Sequence, residues 1–233
     1  MGQQKGAASR RFLAGRVGWV TVRAGQVGRE IVAALASSGA AVGIGLLSTR
    51  EGREAGEPHP VEIAALDGML DTVTVAGGQA VGGVFDMSSG EALQRFRDQI
   101  ERALGPISIL VHVLRPKAAA QRDNARLDRE LEDWLKMIEA VRPAMMERGW
   151  GRIISVIDTT DLPGVDPQWL ELARTRLESL TRGIALSLAD SGVACFLVGR
   201  DAPQSPAAIA RLVAALCADE ALPLSGQSVT LRA

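Results

Sequence analysis

The sequence predicts an α/β protein built on a doubly wound parallel sheet, with helices on both faces. Two observations carry this. Short apolar runs alternate along the chain with stretches of helical apolar spacing, which is the pattern of βαβ units. Several runs (ILVHVL, RIISVI, VACFLVG) are continuous rather than alternating, as strands covered on both faces require. With no internal repeat, low-complexity tract or long linker, residues 1–233 read as one domain, an ordinary length for a single core. Residues 1–14 are polar and are expected to form a flexible arm.

The elements follow in order. Arg16–Val22 is the first strand. Val27–Ser38 has helical spacing around Ile31 and Leu35 and stops at Gly39. Ala40–Leu47 is a second strand, Glu62–Gly77 a helix, and Ala80–Phe85 a third strand ending at Asp86. Ser88 or Ser89 can cap a helix that runs to Leu104 and stops at Gly105-Pro106. Ile107–Leu114 is the fourth strand. Asn124–Arg148 is a long helix that Pro143 should kink or break, because proline lacks a donor and crowds the preceding turn. Arg152–Ile157, Gln168–Asp190, Val193–Val198, Ala207–Ala218 and Ser228–Leu231 complete the alternation.

Composition excludes several functions. Charged residues are 23% of the chain and the formal net charge is -1, so the basic excess of a nucleic-acid or membrane-surface binder is missing. The two cysteines, Cys195 and Cys217, sit in apolar stretches and read as buried free thiols. His59 and His112 lack ligand spacing, so no metal is expected. No run is long and apolar enough to span a membrane, and the Arg10-Arg11 pair is not followed by the apolar run of an export signal. A cytoplasmic location is the expectation.

The first strand, turn and helix form the place where a dinucleotide's pyrophosphate would meet a helix N-terminus. The turn reads Thr21-Val22-Arg23-Ala24-Gly25-Gln26-Val27-Gly28. Gly151-Arg152-Ile153 opens the fifth strand, Leu177 to Arg182 reads Leu-Glu-Ser-Leu-Thr-Arg, and Ser225-Gly226-Gln227 precedes the last strand. With Asp86 after the third strand, these landmarks resemble the short-chain dehydrogenase/reductase family over nearly the whole chain. The resemblance implies a Rossmann-type fold and a nicotinamide dinucleotide cofactor.

Set on that family's pattern, the functional positions differ. Val22 and Gln26 replace two of the three turn glycines, and His112-Val113-Leu114-Arg115 replaces Asn-Asn-Ala-Gly. The family's tyrosine falls on Leu170, its lysine on Arg174 and its serine on Asp158; the asparagine has no counterpart. The helix between Trp134 and Pro143 is shorter by about three turns of ~3.6 residues. No tyrosine occurs anywhere, and the lysines are Lys5, Lys117 and Lys136. Arg200-Asp201 replaces a Pro-Gly, and only Asp201 to Pro206 remains of a substrate-covering loop. Arg50 stands where a relative would read a 2′-phosphate. As ordinary residues, Asp158 and His112 are polar groups at strand ends, Arg174 an exposed helix arginine and Asp86 a loop cap.

In the family the long helices, here 124–148 and 168–190, form an interface with a second subunit, and the last strand helps build a tetramer. The expectation is therefore a subunit, not an enzyme by its own residues, that assembles with and stabilises an active relative in a hetero-oligomeric alcohol dehydrogenase. No catalytic, cofactor-binding or metal residue and no cofactor is assigned. One alternative is a sensor that binds a nucleotide or acyl-CoA without turnover. Another is an enzyme with different chemistry at Asp158 and Arg174.

Overall fold

The computed structural model describes residues 11–47, 59–115, 124–158, 166–200 and 205–231. Seven strands form a single parallel sheet in the order β3-β2-β1-β4-β5-β6-β7. They are β1 (Val17–Val22), β2 (Ala41–Leu47), β3 (Ala80–Phe85), β4 (Ile109–Leu114), β5 (Gly151–Ile157), β6 (Val193–Arg200) and β7 (Ser228–Leu231). The helices between them are α1 (Gln26–Ser37), α2 (Pro60–Val75), α3 (Gly90–Leu104), α4 (Asn124–Glu147), α5 (Pro167–Ser187) and α6 (Pro206–Leu216). This is the doubly wound, Rossmann-type arrangement that the alternation predicts.

Successive strand residues point to opposite faces, so one strand feeds two cores. Val20 and Val22 of β1 pack with Ile31 and Leu35 of α1 and Val213 of α6. Trp19 faces the other way, into a layer with Phe85, Phe96, Ile100, Trp134 and Leu177. Glycines in β2 make room for that aromatic cluster. A side chain at Gly43 would run into Ile100, and one at Gly45 into Phe85. Phe96 then stacks on Phe85 at 5.3 Å and meets Trp19 edge-on at 6.0 Å.

Helix ends obey local chemistry. Ser89 caps α3 by accepting from Ala92 N at 3.2 Å, Asp166 caps α5 from Gln168 N at 2.8 Å, and Ser205 caps α6 from Ala208 N at 3.2 Å. Gly39, at φ 100°, ends α1 in the left-handed region as expected.

Two expectations are corrected, and two further segments gain detail. The helix α4 does not break at Pro143 but continues to Glu147. The proline is exposed, so solvent can satisfy the carbonyl its missing N–H leaves free. The helix α5 ends at Ser187 rather than Asp190, because Asp190 adopts φ 64° and cannot continue it. Asp219–Leu224, unassigned in the sequence, is a 3₁₀ segment. The arm expected over 1–14 is not free at its inner end: Leu13 is buried and its N–H donates to Ser38 O at 2.9 Å. Among the described residues, no helix is long and apolar enough to cross a membrane.

Candidate functional site

Strand order reverses between β1 and β4, whose neighbours run outward in opposite directions. In open α/β sheets the crevice beyond the carboxyl ends of such strands is the ligand site. Here it is bounded by Arg23, Ala24 and Gly25 after β1, Arg115 after β4, and Asp158 after β5.

The first turn of α1 presents its N–H groups to this crevice. Gly25 at the cap makes no side-chain bond, and no acidic residue lies in the first turn. Two side chains occupy the space around the turn. Val22 fills the hollow beside Gly28: a Cβ there would lie 2.9 Å from Val22 Cβ and Cγ1. The Arg115 guanidinium lies against Gly25, with Nη1 donating to Ala24 O at 3.2 Å. A dinucleotide pyrophosphate does not fit the turn with Arg115 in this place.

Beneath the crevice, Thr21 of β1 and His112 of β4 are register partners. The Thr21 hydroxyl donates to Val111 O at 3.3 Å and meets His112 Nδ1 at 2.9 Å. With its one proton spent on Val111, Thr21 accepts from Nδ1–H, which leaves Nε2 as the bare acceptor. His112 stacks on Trp134 of α4, and its buried Nε2 has no hydrogen-bond partner among the described residues. Burial, and secondarily the nearby charge of Arg23, push its pKa down to about 3. The expected satisfied strand-end histidine is thus a neutral core histidine with one unmet nitrogen.

The remaining candidates separate. Asp158 is buried (2% exposed), and its N–H donates to Leu114 O at 2.8 Å. Arg174 turns toward the sheet edge, not solvent: Nη1 donates to Thr230 Oγ1 at 3.3 Å, and Nε lies 3.9 Å from Glu171. Leu170, one turn earlier on α5, packs against the core. Asp86 is a loop cap, with Oδ1 accepting from Ser88 N at 2.9 Å and Ser88 Oγ at 2.7 Å. Lys136 pairs with Asp133 at 2.7 Å on α4. Cys195 and Cys217 are free, buried thiols raised to about 12 by burial. Among the described residues, no group of three or more histidine, cysteine or carboxylate side chains could hold a metal ion. Lys5, Arg50, Lys117 and Asp201 lie outside the described residues.

Sequence reading missed Arg115 as a contact of the turn. Its signal was an arginine in place of a glycine, but its destination lies 91 residues earlier in the chain.

No family model matches the chain. It is 30% identical over 186 residues to Nodulation protein G of Azospirillum brasilense, covering 76% of this chain and 70% of that protein. It is 31% identical over 157 residues to the short chain dehydrogenase MYCFIDRAFT_6125 of Pseudocercospora fijiensis, covering 62% and 45%. It is 32% identical over 101 residues to the (2S)-[(R)-hydroxy(phenyl)methyl]succinyl-CoA dehydrogenase subunit BbsC of Thauera aromatica, covering 41% of each. The chain therefore spans less than half the length of the last two. In fold it matches hydroxysteroid dehydrogenase from Escherichia coli, with a TM-score of 0.76 over 96% of this chain and 97% of that one, at 20% identity. These relatives overturn the expectation that the chain is not an enzyme. They include named dehydrogenases and point to an oxidoreductase.

Proposed function

This chain belongs to the short-chain dehydrogenase/reductase family, and we propose that it is a subunit of a hetero-oligomeric alcohol dehydrogenase of that family. A second short-chain subunit brings the tyrosine and lysine, and this chain brings its crevice and the outer faces of α4 and α5.

The observation that carries the reading is the absence of any tyrosine in 233 residues whose scaffold is otherwise kept. A hydroxyl-to-carbonyl conversion needs a group of matched pKa to exchange the hydroxyl proton, and in this family that group is a tyrosine phenol. The helix faces supply the means of recruiting one. Leu131 on α4 and Leu172, Leu180 and Ile184 on α5 are only partly buried, and Leu186 is 73% exposed. The ion pair of Arg176 with Asp128 ties the two helices into one surface. Half-buried apolar rows rimmed by charge are the composition of an assembly face. The similarity to a protein described as a dehydrogenase subunit agrees with this.

Co-expression with a tyrosine-bearing short-chain dehydrogenase from the same genome tests it. The two chains are expected to co-elute on size exclusion, and Leu186→Glu to release them. Separate elution of the unmodified chains would sink the proposal.

A second reading is favoured by the burial of Asp158 at the carboxyl end of β5. There this chain turns substrate over itself, with Asp158 exchanging the proton. Turnover by the purified single chain, abolished by Asp158→Asn, is what this reading requires.

A further inference from the structure

We infer that Arg115 is a side-chain stopper in the phosphate turn, and that a nucleotide enters the crevice only when Arg115 withdraws. The N-terminus of α1 is an anion site by construction. Its first-turn N–H groups have no capping side chain, and helix N-termini bind phosphates through such groups. Phosphate oxygens reach those donors only by approaching the backbone to about 2.7–3.0 Å.

The Arg115 guanidinium occupies that approach. Nη1 donates to Ala24 O at 3.2 Å, and Cζ lies 3.5 Å from where a Cβ on Gly25 would stand. Even an alanine at position 25 would collide with Nη1. The Cζ–Nη1 bond therefore points end-on at the glycine, and a pyrophosphate approaching there meets the guanidinium first.

The two obstructions in this turn differ in kind. Val22 is a fully buried strand residue locked between β1 and α1, so it shapes the turn permanently. Arg115 is half-buried at the end of β4 and is held at the turn through a long side chain. Rotation about its side-chain torsions clears the site without moving backbone. The stopper acts within one chain and does not depend on the proposed partner.

Titration of NADH and of NADPH into the full-length protein, followed by nicotinamide fluorescence and calorimetry, tests this. The proteins are wild type, Arg115→Ala and Arg115→Gly, each checked by thermal melting for an intact fold. Both variants are expected to bind at least one of the nucleotides ten-fold or more tightly than wild type. Saturating nucleotide should also raise their melting temperatures more than that of wild type. Equal or weaker binding by the variants would overturn the inference and make Arg115 a neutral residue or a phosphate ligand. Failure of all three proteins to bind would overturn it as well, because Arg115 would not be what closes the turn.

Discussion

The imidazole of His112 lies face to face with the indole of Trp134, ring centroids 5.0 Å apart and planes 22° from parallel. One ring comes from the middle of the sheet and the other from α4. Their contact joins β4 to α4, a helix of the proposed assembly face.

The burial of His112 sets a pH dependence. Burial holds His112 at a pKa of about 3, below the 6.5 of an exposed histidine. Between those values the unfolded chain binds a proton that the folded one refuses, so stability rises with pH. The contribution of His112 is fully present above pH 6.5 and is lost as pH falls toward 3. Urea titrations at pH 7 and pH 5 should show a loss approaching about 1.4 kcal/mol per pH unit from this one group. His112→Leu should flatten that part of the profile. An unchanged slope in the variant would show that His112 is already charged or exposed.

Val22 and Gly28 are matched in volume, and a pair of substitutions should reveal it. Gly28→Ala sets a methyl 2.9 Å from Val22 and should cost roughly 1–3 kcal/mol. In a Val22→Ala background the same change should cost less but still be felt, because both Cγ contacts are gone while the Cβ of residue 22 still stands 2.9 Å from the new methyl. Additive losses in chemical denaturation would mean that the two side chains do not compete.

Arg152 is the largest buried charged side chain among the described residues. Its guanidinium donates to the carbonyls of Gly151, Gly192 and Ala218, and its Cζ lies 4.4 Å from the centre of the Trp150 ring, which Arg16 also covers at 3.6 Å. Arg152→Met removes every one of these donors and should cost about 3 kcal/mol. The Trp150 emission should shift with it. A loss below ~1 kcal/mol would show that solvent replaces the donors at little cost.

Ser89→Ala tests the start of α3. Loss of the hydroxyl that accepts from Ala92 N should cost about 1 kcal/mol and leave the crevice untouched. Nucleotide titrations with this variant should match wild type.

Much of the fold was legible in the sequence because both of its periodicities are strong. β3 and β7 fall on the residues expected, since a run of apolar residues between turn-formers leaves little choice of boundary. The break offered at Pro143 did not occur because the exposed proline leaves the unpaired carbonyl to solvent and the helix packs on either side. The 3₁₀ segment at Asp219–Leu224 escaped because six residues with an internal Pro223 carry no periodicity. At the site, the substitutions were legible but not their consequences. Nothing in the spacing brings Arg115 to Ala24, or stacks His112 on Trp134; those pairings come from the order in which the strands lie.

The most direct measurement is alcohol dehydrogenase activity of a tyrosine-bearing short-chain partner, purified with and without this chain and weighed intact by native mass spectrometry. The proposed assembly requires one heteromeric species whose activity falls at least ten-fold when this chain is left out. Two separate species, with the partner fully active alone, would contradict it.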